Sequence, residues 1–168
     1  MPSESSAAHD VLIFRAGEHH CAISSHHIAE LILMPALIRL PGQPALLDGF
    51  LNLRGRTVPV ASLHHLLQIA VPEPSLHSPL IVVQTGQGLL ALRVDSIDQV
   101  VSVDDEALIP CTGSNSLNDC AIAQFHMDGE DIALLSAESL LLAKERECIA
   151  DLAAQVERRL DLLKAPPA

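Results

Sequence analysis

Aromatic residues are nearly missing from this chain: three of its 168 residues are Phe, and Trp and Tyr are absent. Proteins that hold single-stranded nucleic acid stack bases on aromatic side chains, so that mode of binding is excluded and the core has to be built from Leu, Ile, Val and Ala. Basic residues are also scarce. Ten Lys and Arg stand against 21 Asp and Glu, a formal net charge of −11 at pH 7, which repels phosphate backbones and anionic lipid surfaces. No stretch approaches the roughly 20 apolar residues of a membrane-spanning helix. Met1-Pro2-Ser3-Glu4-Ser5-Ser6 has no basic region leading into an apolar one, and a cytoplasmic location without membrane insertion is expected. The four cysteines, Cys21, Cys111, Cys120 and Cys148, form no C-x-x-C pair, which argues against structural zinc and thioredoxin-like redox chemistry and predicts reduced, mostly buried thiols.

What is present is a chain of 49% hydrophobic residues with mean hydropathy +0.32, enough to bury a core. It reads as one domain of two lobes. Residues 1–10 form a polar, small-residue tail expected to be disordered. Val11 to Phe14 and His19 to Ile23 read as strands joined at Ala16-Gly17-Glu18. Ser24 or Ser25 can cap a short helix in which Ile28, Leu31 and Ile32 fall at helical spacing, with Pro35 preventing much continuation. Leu51 to Val60 reads as a hairpin turning at Gly55, where a positive φ suits Gly and is resisted by Arg54 and Arg56. Ser62 to Leu67 is a turn of helix, residues 70–79 a proline-rich loop, and a second β-rich half begins at Leu80, turning at Gly86-Gln87-Gly88. A turn-rich stretch over residues 111–119 precedes a final hairpin at Asp128-Gly129. Short strands at short spacing, without helical crossovers, predict a mainly β fold. A long helix from about Ala137 to Lys164 closes the chain, with Leu141, Cys148, Leu152, Val156, Leu160 and Leu163 on one face. That face can pack on the chain's own β lobe or on a partner helix.

Few motifs suggest chemistry. Six of the nine histidines are adjacent pairs, His19-His20, His26-His27 and His64-His65, but neighbours on a strand point to opposite faces and no i, i+4 pairing is present. A solvated or structural role is favoured over a metal site. Gly86-Gln87-Gly88 lacks the third glycine and the helix of a phosphate cradle. No nucleophile motif such as G-x-S-x-G occurs, so no catalytic residue and no cofactor is assigned. The acidic run Asp104-Asp105-Glu106 reads as a solvated turn or the start of a short helix.

The block Gly49-Phe50-Leu51-Asn52-Leu53-Arg54-Gly55, preceded by Ile28-Ala29-Glu30-Leu31 and followed by Leu92-Arg93-Val94-Asp95 and by Ile132 to Leu142, resembles the CheW family of chemosensory adaptors, in the family's order and over about residues 11–143. The resemblance implies two small SH3-like five-stranded β-barrels packed side by side, with short helices; the C-terminal helix read from periodicity extends beyond it, over residues 144–168. It also implies a non-catalytic scaffold that couples the regulatory domain of a CheA-type histidine kinase to the cytoplasmic tip of a chemoreceptor in a signalling array, with self-association open. Carried over residue by residue, Glu30 and Arg54 form an ion pair that shapes the receptor face, joining the short helix to the hairpin. Ile28, Leu31 and Gly49 lie at or near that face. Leu152, Val156, Leu160 and Leu163 are candidates for contact with a partner helix. The chain departs from many family members in carrying Ser62 in place of Asp and in lacking tyrosines in its early strands. Two other functions stand beside this one: a CheW-like module that recruits a different signalling protein through its C-terminal helix, and a metal-binding regulator that uses the histidine pairs.

Overall fold

The computed structural model describes residues 8–70, 77–86, 88–110, 121–140 and 143–164. Eleven strands form two sheets among these residues. β1 (Ala8–Ala16), β2 (His19–Ser24), β8 (Ser96–Asp104), β9 (Ile109–Pro110), β10 (Ala121–Met127) and β11 (Glu130–Leu135) make a six-stranded sheet in the order β8-β1-β2-β11-β10-β9. The five-stranded sheet runs β3-β6-β7-β5-β4 and contains β3 (Ile28–Leu33), β4 (Leu47–Leu53), β5 (Arg56–Ser62), β6 (Pro79–Thr85) and β7 (Gly88–Arg93). Two helices are added, α1 (Leu63–Leu66) and α2 (Ala143–Lys164). The expected pair of β lobes is present, one with five strands and the other with five plus the two-residue β9. The chain enters the six-stranded lobe, crosses at residues 24–28 to build the five-stranded one, and returns after Arg93. Leu80 to Arg93 therefore complete the lobe begun by β3 rather than opening a second half. Both sheets contain one parallel pair, β2 with β11 and β5 with β7.

The burial pattern explains the composition. β1 buries four consecutive residues, Val11 to Phe14, and β6 buries Leu80 to Val83. Such continuous apolar runs belong to strands covered on both faces. Leu12 and Phe14 of β1 meet Ile81 and Val83 of β6 in one core shared by the two sheets. Val11 and Ile13 face a second core with Phe125 and Ile132, and Leu80 and Val82 a third with Leu51 and Val58.

The hairpin turns follow turn chemistry. Arg54 and Gly55 have φ of 51° and 86°, and Asp128 and Gly129 have 52° and 81°, the two-residue type in which both central residues take positive φ and match the twist of the flanking strands. Arg54 therefore adopts the left-handed backbone that a non-glycine residue resists, contrary to the expectation that Gly55 alone would do so. A hydrogen bond from Gly55 N to Asn52 Oδ1 at 2.8 Å supports the turn.

Several expectations are corrected. The short helix over Ser25 to Ile32 is a 3₁₀ turn, Ser25–His27, followed by strand β3. Strand β3 is paired with β6, and a register shift between Ile28 and Glu30 leaves Ala29 as an extra residue. Bulges of this kind reverse the alternation of side chains. Ile28 lies opposite Val83 and Leu31 opposite Ile81, so the bulge puts residues 28 and 31 on one face, reproducing in a strand the three-residue spacing that reads as a helix. The first strand begins at Ala8, inside the expected tail, where residues 8–10 pair with β8. The C-terminal helix starts at Ala143, after a 3₁₀ turn at Ala137–Ser139. Its inward stripe runs through Ile149 rather than Cys148, which is exposed. Of the expected loop at 70–79, Pro79 instead opens β6 and residues 71–76 fall outside the described residues, as do the turn-rich segment at 111–119, Leu141, Cys111 and Cys120.

Candidate functional site

Glu30 sits after the bulge of β3, on the same face as Ile32, whose partner across the ladder is Leu80. Arg54 occupies the turn between β4 and β5. These elements are the two edges of the five-stranded sheet, and the sheet curls until they meet: Ile38, after β3, exchanges both backbone hydrogen bonds with Phe50 of β4, at 2.7 and 2.8 Å. Across this junction Arg54 Nη1 donates to Glu30 Oε2 at 3.0 Å, and Nη2 donates to the same oxygen. Arg54's side chain is 69% exposed and Glu30's 26%. At such exposure water and salt screen the attraction, and the pair contributes about 0 to 1 kcal/mol to folding, while left-handed backbone at a residue such as Arg54 costs about 1 to 2. This surface feature does little for the stability of the chain that carries it.

The apolar candidates divide. Ile28 is half-buried against the shared core, while Leu31, on the same face, is 47% exposed at its margin. Leu33, also on β3, is 63% exposed. Gly49 is buried, and its role is internal: at φ 152° an added Cβ would come within 2.8 Å of the Ile38 carbonyl and 3.0 Å of Leu37 Cβ. The close crossing of the strand over the residue 37–39 segment requires glycine here.

The C-terminal helix lies on its own protein. Val156 is completely buried in the shared core with Ile149, and Leu152 and Leu160 pack against that core. Val156 is thus spoken for, which removes it as a partner-helix residue; the side chain of Leu163 lies outside the described residues. A groove of about 450 Å³ remains between α2 and the five-stranded sheet, lined by Val58, Pro59, Leu89, Ala150 and Ala153 among others. The Glu138 carboxylate anchors the start of this segment by accepting the Gly86 N–H at 2.7 Å.

Two polar constellations escaped sequence reasoning. Arg93, 2% exposed, is held by Asp48 in a two-point pair, Nε to Oδ2 at 2.5 Å and Nη2 to Oδ1 at 3.3 Å. Buried His64 places Nε2 2.9 Å from Asp95 Oδ2. Burial pushes the Asp95 carboxyl up, but the hydrogen bonds from His64 and the Gly17 N–H, with the charges of His64 and Arg15, outweigh it and hold the group below its ordinary value. The signal for both was a charged residue in an apolar strand, Leu92-Arg93-Val94-Asp95, but the sequence does not name partners 45 and 31 residues away. The histidine pairs split as strand and turn geometry requires: His64 is buried and His65 exposed, and His20 is partly covered beside Glu130 while His19 is exposed. Among the described residues no group of three His, Cys, Asp or Glu side chains is placed to hold a metal ion, and no helix is long and apolar enough to cross a membrane.

The sequence matches the CheW-like domain family across residues 10–145. The chain belongs to that family. It is 24% identical over 140 residues to the chemotaxis protein CheW of Rhizobium meliloti, covering 82% of this chain and 90% of that one. It is 25% identical over 140 residues, with the same coverage, to the probable chemotaxis protein CheW of Rhizobium etli. The fold is shared with the crystal structure of the scaffolding protein TtCheW from Thermoanaerobacter tengcongensis, at a TM-score of 0.76 and 19% identity, covering 83% of this chain and 96% of that one. The family match ends at residue 145, so almost all of α2 lies beyond it.

Proposed function

We propose that this CheW-like chain is a non-catalytic chemosensory adaptor that couples the regulatory domain of a CheA-type histidine kinase to the cytoplasmic tip of a chemoreceptor. The observation that carries the reading is the exposed Glu30–Arg54 pair on a left-handed turn residue. Backbone strain and a charged pair that do little for folding fit a surface kept for a partner. Ile28 and Leu31, brought together by the β3 bulge on the face of this edge strand opposite Glu30, supply apolar contact along the same margin. A receptor's helical tip laid against that margin would take its affinity from the apolar contacts and its register from the charged pair. The family match and the chemotaxis relatives support the same reading, which places the protein in the cytoplasm at receptor arrays.

The alternative, recruitment of another protein through the C-terminal helix, is disfavoured because Ile149 and Val156 are already committed to the chain's own core. Isothermal titration of the purified chain with the kinase regulatory domain and, separately, with a soluble receptor-tip fragment tests the proposal. Binding to both supports the adaptor. Binding to neither at high micromolar concentration contradicts it and leaves a CheW-like fold with a different partner.

A further inference from the structure

We infer that Asp95 is the positioning residue that fixes how the two lobes sit on one another. It stands between β7 and β8, where the chain leaves the five-stranded lobe for the six-stranded one. Its backbone N–H donates to Arg15 O of β1 at 2.9 Å. Its Oδ2 accepts the N–H of Gly17, in the β1–β2 turn, at 2.6 Å. The same oxygen lies 2.9 Å from Nε2 of His64, which is 1% exposed on α1 in the other lobe. One carboxylate oxygen therefore joins a backbone group of the first lobe to a buried side chain of the second.

The shared core around this junction is apolar, with Leu12 and Phe14 facing Ile81 and Leu92, and a second directional contact between the lobes, Glu138 accepting the Gly86 N–H, lies at the far side near the start of α2. Apolar burial supplies attraction without direction, whereas hydrogen bonds require specific distances and angles. Directional contacts of this kind select one docking angle from the several that an apolar face permits. With the carboxylate as acceptor, the His64 proton sits on Nε2. Nδ1 has no hydrogen-bond partner among the described residues, so Nε2 is the ring atom through which His64 is held. Gly17 presses the same junction from the other side: at φ 61°, an added Cβ would meet Ile69 Cδ1, just beyond α1, at 3.1 Å.

The test is nuclear magnetic resonance of the full chain, with residual dipolar couplings reporting lobe orientation and amide exchange at Gly17 reporting the junction. In Asp95→Ala, Gly17 exchange is expected to accelerate about tenfold or more. The couplings of each lobe should still fit its own structure but no longer share one alignment frame. Asp95→Asn, which keeps an acceptor oxygen, should stay closer to the parent. Unchanged exchange and a common frame in Asp95→Ala would overturn the inference. If that variant does not fold, His64→Gln, which retains a donor, should preserve the lobe frame while His64→Phe loses it; equal behaviour of the two would overturn the inference. No partner enters the experiment, so its outcome is separate from that of the adaptor reading.

Discussion

Asp48 at the start of β4 and Arg93 at the end of β7 face each other across the five-stranded sheet, with Arg93 2% and Asp48 11% exposed. Breaking a buried ion pair by removing one member leaves the other charge uncompensated, at a cost of about 3 to 5 kcal/mol, whereas replacing both with apolar groups of similar volume is often near neutral. Arg93→Ala is expected to lower the free energy of unfolding by that amount, and Asp48→Leu with Arg93→Met to recover most of it. Denaturant unfolding of the three proteins gives the comparison. Equal stability of Arg93→Ala and the parent would show that the pair is not coupled to folding.

The C-terminal helix provides a second prediction. Ile149→Ala removes a side chain buried in the shared core and is expected to cost about 2 to 5 kcal/mol. Leu162, 76% exposed on the same helix, should be replaceable by Ala within about 0.5 kcal/mol. Thermal unfolding read by circular dichroism distinguishes the two. The opposite ranking would mean that α2 does not pack on the β lobes in solution.

Glycine supplies the third. Gly49→Ala forces a methyl group against the Ile38 carbonyl and Leu37, and overpacking of this kind costs about 1 to 3 kcal/mol. Gly55, at φ 86°, has open space around its Cβ position, so Gly55→Ala suffers only the left-handed backbone, about 1 to 2 kcal/mol. Gly49→Ala should unfold at the lower denaturant concentration of the two.

Asp95 makes stability depend on pH. Its carboxyl is held below the ordinary value of 3.8 in the folded chain, so the unfolded chain takes up the proton first as pH falls. The stabilisation is fully present above about pH 4 to 5 and is lost as pH falls through the lower folded value. The parent should therefore lose more stability than Asp95→Asn between pH 6 and pH 3, on the order of those carboxylate limits. Parallel loss in both proteins would exclude Asp95 as a source of the acid sensitivity.

The parts of this fold that could be read from sequence are those written in local chemistry. Gly55 and Gly129 mark hairpin turns because positive φ is needed there, and continuous apolar runs such as Leu80 to Val83 announce strands covered on both faces. The helix expected at Ile28 to Ile32 shows the limit: a bulge at Ala29 gives a strand the spacing of a helix, and only pairing with β6, some fifty residues on, reveals it. The parallel pairing of β2 with β11, and the meeting of Asp95 with His64 and Gly17, are likewise set by tertiary packing. Glu30 and Arg54 were legible as a pair through family resemblance. Their position at the junction of two sheet edges, and the left-handed backbone of Arg54, required the structure.

The most direct test of the adaptor account is a charge swap at this pair, with binding to the receptor-tip fragment and to the kinase regulatory domain measured by titration calorimetry. Arg54→Glu alone should weaken receptor binding about tenfold or more, the range expected when a charged contact is reversed at an interface, and leave kinase binding unchanged. Adding Glu30→Arg should restore the pair and part of the affinity. Undiminished receptor binding by folded Arg54→Glu would contradict the account.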